Sequence, residues 1–230
     1  MKRIFPALLA AACLLPGGSL HAANPPPSAD AQAVPPADAR AAGRYRLSGS
    51  PDVVAMLELR PDGRFRYMLI AGAVDARSEG LWTSDGLSVT LTTSPRPVPP
   101  EFSAGPVTRA EGPLSILVVT PGGRGLPGID LRLGYPDGQV VDSYTQEDGW
   151  RPAEGDPAGT PAWVEVSFAM YDVPPRRFAL DAAAGNAFVF VLTPNDIQVL
   201  DFRDWVLDIS GDDLVARPEG YGAGTFRRVE

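Results

Sequence analysis

The chain has 230 residues, formal net charge −8, one histidine and one cysteine, and 44% hydrophobic residues. It is long enough for one large or two small domains. Its acidity leaves no electrostatic footprint for nucleic acid and disfavours an anionic membrane surface.

In chain order, Met1-Lys2-Arg3 is a short basic start, followed by a charge-free run from Ile4 to Leu15. That run is shorter than the roughly 20 apolar residues a bilayer span needs. With the small residues Ala22 and Ala23 it reads as a secretory signal peptide over residues 1–23, and the product is expected to be periplasmic or secreted. Ala10-Ala11-Ala12-Cys13 carries the rival reading, a lipoprotein signal acylated at Cys13. Cleavage removes His21, Cys13 and Lys2, the chain's only histidine, cysteine and lysine, and takes the net charge to about −10 through loss of Lys2 and Arg3. The mature chain then holds no residue for Ser-His-Asp, thiolate, Schiff-base or imidazole–metal chemistry. It has no transmembrane segment, and no cofactor is expected. Residues 24–42, with Pro25-Pro26-Pro27 and Pro35-Pro36, read as an extended, solvated Pro/Ala-rich linker.

Strand signals begin at Gly43. Tyr45 and Leu47 alternate with Arg44 and Arg46, the period-two pattern of a half-buried strand. Ala55, Leu57 and Leu59 face one way and Met56, Glu58 and Arg60 the other. Pro61-Asp62-Gly63 turns the chain, and Phe65, Tyr67 and Leu69 resume the apolar face opposite Arg64, Arg66 and Met68. Trp82 follows, and Leu87, Val89 and Leu91 alternate with polar residues. Four prolines between Pro95 and Gly105 break the pattern where a domain boundary is expected. Further short strands are predicted over 115–119, 129–133, 140–144, 163–168, 178–180 and 188–192, separated by Gly/Pro turns. Pro174-Pro175-Arg176-Arg177 reads as a solvated turn. No amphipathic helix of ten residues follows the signal, so the fold class is all-β.

Gly125-Leu126-Pro127-Gly128-Ile129-Asp130-Leu131, followed by Thr145-Gln146-Glu147-Asp148-Gly149-Trp150, resembles the carboxypeptidase regulatory-like (transthyretin-like) sandwich domains. Those modules pair a glycine–proline entry into an apolar strand with a later Thr-x-x-x-Gly-aromatic turn. The resemblance implies a usually non-catalytic seven-stranded β-sandwich over residues 113–195, with Ile129, Leu131, Val164, Val166 and Phe190 in its core and Trp150 as its cap. The flanking parts, 43–112 and 196–230, resemble a lipocalin-like barrel interrupted by that module. Gly43-Arg44-Tyr45 stands where those proteins have Gly-x-Trp, and Arg227 or Arg228 takes the place of the late arginine packed across it; tyrosine is the departure. The strand, Pro-Asp-Gly, strand, Gly80-Leu81-Trp82, strand opening is similar to that of uncharacterised secreted bacterial proteins. On this reading residues 224–229 pair with residues 43–47 and close the barrel. The expected interior wall is Tyr45, Leu57, Phe65, Tyr67, Trp82 and Val89: a packed core if the side chains fill it, a site for a small apolar ligand if space remains.

Carboxylates are the remaining acid/base candidates: Glu147-Asp148, and Asp196, Asp201, Asp204, Asp208, Asp212 and Asp213. Two of them facing one cleft at a defined separation make a glycosidase; hard oxygen ligands also suit calcium, but no Asp-x-Asp-x-Asp-Gly loop is present. The glycine-rich 121–128 stretch lacks the Gly-Lys-Ser/Thr of a phosphate loop. The expected function is a non-catalytic exported binding or envelope-accessory protein, partnered by a small apolar ligand or an envelope protein. The alternatives are a carboxylate-dependent hydrolase of envelope polysaccharide and a purely structural interaction module.

Overall fold

The computed structural model describes residues 40–218, 221 and 223–229; the signal peptide and all but the end of the linker lie outside them. The alternating segments form the expected strands. β1 (Gly43–Ser48), β2 (Val53–Leu59), β3 (Arg64–Ala71), β4 (Val74–Ser84) and β5 (Ser88–Thr93) are followed by β6 (Glu101–Thr108), β7 (Ser115–Val119), β8 (Asp130–Gly134), β9 (Val140–Tyr144), β10 (Trp163–Phe168), β11 (Val173–Ala179) and β12 (Ala187–Thr193). β13 (Trp205–Ser210), β14 (Asp213–Ala216) and β15 (Gly224–Val229) complete the chain. Strands β1, β15, β14, β13, β5, β4, β3 and β2 make a closed eight-stranded antiparallel barrel. Two further sheets, β11-β10-β8-β9 and β6-β12-β7, hold the seven remaining strands.

Closure runs as the alternation predicts. Arg44 to Ser48 register against Val229 to Thr225, so neither terminal strand keeps a free edge. The arginine packed across the first strand is Arg228, not the exposed Arg227. Its guanidinium lies 4.9 Å from the Tyr45 ring centre and donates to the Tyr45 hydroxyl at 2.7 Å. It also donates to the carbonyls of Ala42 at 2.8 Å and Arg40 at 2.6 Å, while the Tyr45 hydroxyl donates to that of Ala41 at 2.7 Å. Ala41 is buried, so the linker's last residues are tied across the end of the barrel rather than solvated.

The second core joins both remaining sheets. It contains Ile129, Leu131, Val164, Val166, Phe190 and Trp150 together with Phe102 of β6. That last residue marks a difference from the sequence reading. β6, in the stretch assigned to the barrel, pairs with β12 from Glu101↔Thr193 to Thr108↔Ala187 and supplies the seventh strand outside the barrel. Hydropathy around Pro95–Gly105 does not reveal it, because only Phe102 of its eight residues is buried. A second correction concerns Pro174-Pro175-Arg176-Arg177. These residues lie within β11, an edge strand, where prolines are tolerated because one side of the backbone needs no donor.

The Thr-x-x-x-Gly-Trp signature has a local cause. Buried Thr145 donates its hydroxyl to the Leu126 carbonyl at 2.6 Å and accepts from the Ile129 N–H at 3.1 Å, fixing the entry to β8. Trp150 then exchanges backbone hydrogen bonds with Ile116 at 2.7 and 3.0 Å. Between them, Gly149 has φ +93°, and a Cβ there would sit 2.6 Å from the Ile116 carbonyl oxygen. Only glycine meets both constraints.

Candidate ligand groove

The six predicted wall residues are brought together. Tyr45, Leu57, Phe65, Tyr67, Trp82 and Val89 all belong to one buried core inside the barrel. The sequence reading missed what fills the space between them. Phe202 stacks 5.9 Å from Phe65 and meets Tyr67 edge-on at 5.2 Å; Trp205 meets Tyr67 at 5.8 Å and 90°, and lies 4.7 Å from Phe202. Phe226, Leu207 and Leu214 add to the same core. The packing is ring against ring, in the edge-to-face and offset geometries that aromatic quadrupoles favour. Burial in this apolar setting pushes the Tyr67 phenol up to about 12.

The concavity lies on the other side of the sheet. A groove of about 630 Å³ runs over the outward face of β1 to β4, within the size range of small-ligand sites. Register defines its floor. One cross-strand row is Arg44, Glu58, Arg66 and Glu79; the next is Arg46, Met56, Met68 and Arg77. All but Arg46 line the groove. The two connections between the barrel and the remaining sheets, through Pro95, Pro97, Asp196 and Val199, make its wall.

These connections are fastened to each other and to the barrel. The Asp196 carboxylate accepts from the Val98 N–H at 2.8 Å, the Asp196 N–H donates to the Val98 carbonyl at 3.0 Å, and the Asn195 amide donates to the Pro99 carbonyl at 2.8 Å. Arg77 donates its N–H to the Gln198 carbonyl at 2.9 Å and accepts from the Leu200 N–H at 2.8 Å. Inside the barrel, Thr93 Oγ1 donates to the Leu200 carbonyl, accepts from the Phe202 N–H, and is 2.8 Å from the Ser78 hydroxyl. The wall is built of paired backbone, and the floor is sheet.

Charges along the floor are unequally engaged. Glu58 has Arg44 at 3.6 Å and Arg60 at 3.5 Å. Among the described residues, the side chains of Arg66, Arg77 and Glu79 have no ion pair within 4.0 Å and no hydrogen bond. Met68 is 38% exposed, with Met56 and Arg77 its cross-strand neighbours and Arg66 two residues away on the same strand. Sequence alternation had already placed Met56 and Met68 outward. Two unbranched apolar residues among the charged residues that line the groove were the available signal.

The acids considered for hydrolysis are dispersed. Asp148 pairs with Arg151 at 2.6 Å, Asp201 with Arg203 at 2.8 Å and Asp208 with Arg217 at 2.8 Å. Asp204 accepts from the Thr92 hydroxyl at 2.7 Å, and Asp213 from the Arg228 N–H at 3.2 Å. The arginine beside each of Asp148 and Asp208 holds its carboxyl below the usual range, opposite to what a general acid needs. Among the described residues no cluster of three or more His, Cys, Asp or Glu is placed to hold a metal ion. Trp82, Trp150 and Trp205 are buried in the two cores, and Trp163 is half-buried beneath the Arg177 guanidinium, 3.7 Å from its ring centre. Among the described residues no helix is long and apolar enough to cross a membrane.

Comparisons of the chain with protein-family models, with curated proteins and with solved structures return no match. The class that the fold defines is architectural: an all-β protein with a closed eight-stranded antiparallel barrel and additional sheets.

Proposed function

We propose that this is a non-catalytic, exported binding protein that takes its ligand in the outward groove of the barrel, not in the interior. The observation carrying this reading is the contrast between the two faces of one sheet. The inward face is filled by Phe202 and Trp205, whereas the outward face keeps about 630 Å³ of space over two methionines. Methionine suits such a role because its flexible, polarisable side chain adapts to irregular apolar surfaces. The basic start and short apolar run at the N-terminus support export, and the Arg228–Tyr45 latch supports the lipocalin-like resemblance of the barrel. The Thr145–Gly149–Trp150 turn supports the transthyretin-like one for the inserted sheets.

The test uses the few methionines. Of four in the chain, Met56 and Met68 line the groove and Met170 is exposed far along the sequence between β10 and β11. In protein carrying 13C-methyl methionine, octanol and indole are expected to shift the Met56 and Met68 methyl signals and leave Met170 in place. Probes that instead move the indole N–H signals of Trp82 and Trp205, or that move nothing, sink the reading.

A further inference from the structure

Resting on that groove reading, we infer that the groove selects a single-chain anionic amphiphile: an apolar tail of medium length ending in a carboxylate.

Three features of the floor point to this chemistry. The first is the order of groups along one row. Met56, Met68 and Arg77 are cross-strand neighbours on β2, β3 and β4. At the spacing of adjacent strands, the apolar path from Met56 to Arg77 is about 10 Å. Arg66 stands two residues along β3 from Met68 on the same face, in the row of Glu58 and Glu79, so Arg77 ends the thioether path and Arg66 stands beside Met68. Pro95, Pro97 and Val199 stand at the edge of the same groove as its wall. A tail laid along the methionines brings its head to the arginines.

The second feature is which charges are available. Glu58 is taken by Arg44 and Arg60, and the Asp196 carboxylate by the Val98 N–H. Arg66 and Arg77 have no side-chain partner among the described residues, against one free carboxylate, Glu79. The lining as a whole is formally neutral, with Arg44, Arg66 and Arg77 against Glu58, Glu79 and Asp196, and the Val98 N–H leaves the Asp196 charge in place; the positive charge is local, at Arg66 and Arg77 beside Met68. Guanidinium binds carboxylate through paired N–H donors, so it favours a planar anion over a neutral or cationic head.

The third concerns main-chain recognition. β1 to β4 are paired on both sides within the closed barrel, and residues 198–200 cover the part of β4 beside the groove. No strand edge is free there to add a peptide strand, which is how extended polypeptides gain most of their affinity on sheets. Recognition falls to side chains alone, and a ligand without a backbone is the better fit.

The same 13C-methyl methionine protein tests this with three probes sharing one tail: decanoate, decanol and decyltrimethylammonium, each below its micelle concentration. Decanoate is expected to shift Met56 and Met68 saturably, with Met170 unmoved, and to bind about tenfold more tightly than decanol, as one charge-assisted hydrogen bond predicts. Decyltrimethylammonium is expected to bind more weakly still. Arg66→Gln and Arg77→Gln, both exposed positions, should each bring decanoate down to the affinity of decanol while leaving decanol and the melting temperature unchanged. Equal binding of all three probes overturns the anionic inference and leaves the groove reading standing. If none moves the two methyls while octanol or indole does, the amphiphile inference falls alone; if those also fail, the groove reading falls with it. An acidic peptide that moves the methyls where decanoate does not also overturns it and gives the groove to a polypeptide.

Discussion

Tyr67 lies inside the barrel with its ring against Phe202, Trp205 and Phe226, and its phenol is pushed up to about 12 from 10.0 by burial. The unfolded chain therefore loses this proton first as pH rises. Tyr67 contributes its full share of stability below pH 10, and that share is lost between pH 10 and 12. Two pH units correspond to about 3 kcal/mol. Burial raises Tyr45 and Tyr135 as well, so all three slopes have one sign. Urea midpoints measured from pH 9 to pH 12 should fall steeply in the native protein and less steeply in Tyr67→Phe; equal slopes would show that Tyr67 titrates freely. At Gly149 the constraint is steric. Gly149→Ala must place a Cβ 2.6 Å from the Ile116 carbonyl at φ +93°, and about 3 kcal/mol is expected from strain and displacement of β7. Gly86→Ala, at φ +84° with nothing within 4 Å, isolates the backbone component at about 1 kcal/mol. Chemical denaturation of both variants checks the difference, and equal losses would mean that the close approach to Ile116 is relieved at no cost.

Among the elements, β15 closes the barrel and also carries the latch. Arg228 joins β15 to the chain entering β1 through two carbonyls, a hydroxyl and a ring face. Arg228→Ala is expected to cost about 3 kcal/mol, since charged hydrogen bonds and a stacked cation are lost together. Arg227→Ala, one residue away on the exposed face, should change stability by less than about 0.5 kcal/mol. Urea denaturation distinguishes them, and equal effects would remove the latch. The first strand, the first hairpin and the returning last strand were legible because Tyr45, Leu57, Leu59, Phe65, Tyr67 and Phe226 alternate with charged or polar residues at the sheet period. β6 was not, because seven of its eight residues are not buried and its pairing is supplied by β12, more than 80 residues later. β13 and β14 lie in the 196–230 stretch assigned to the barrel, but their acids obscure where each strand begins and ends. Asp208 and Asp213 stood among the acid/base candidates; on the barrel strands they accept from Arg217 and from the Arg228 N–H. The interior wall was legible as a wall; Phe202, between β12 and β13, carries no periodic signal of its own. The groove depends on register across β1 to β4 and on two connections 100 residues apart, so only its methionines show in the sequence.

At the scale of the whole molecule, seven strands sit within the barrel's chain between two connections that meet. Val98 and Asp196 are joined by two hydrogen bonds, and Asn195 reaches the Pro99 carbonyl. The inserted segment thus leaves and re-enters the barrel at nearly one point, the geometry that lets an insertion fold within a host without distorting it. Where the inserted unit begins then decides whether it can stand alone. A fragment of residues 113–195 omits β6, stripping β12 of one neighbour and leaving Phe188, Phe190 and Leu192 beside an open edge. It also removes Phe102 from the shared core, a loss of about 2–3 kcal/mol from that side chain alone. An edge of alternating large apolar residues pairs readily with other chains. The fragment of residues 99–195 keeps β6, the two sheets and the adjoining ends. It is expected to unfold in one cooperative urea transition as a monomer, whereas the shorter fragment should aggregate or show no transition. Cooperative unfolding of both fragments with the same midpoint would mean that β6 belongs energetically to the barrel side, whatever sheet it pairs in.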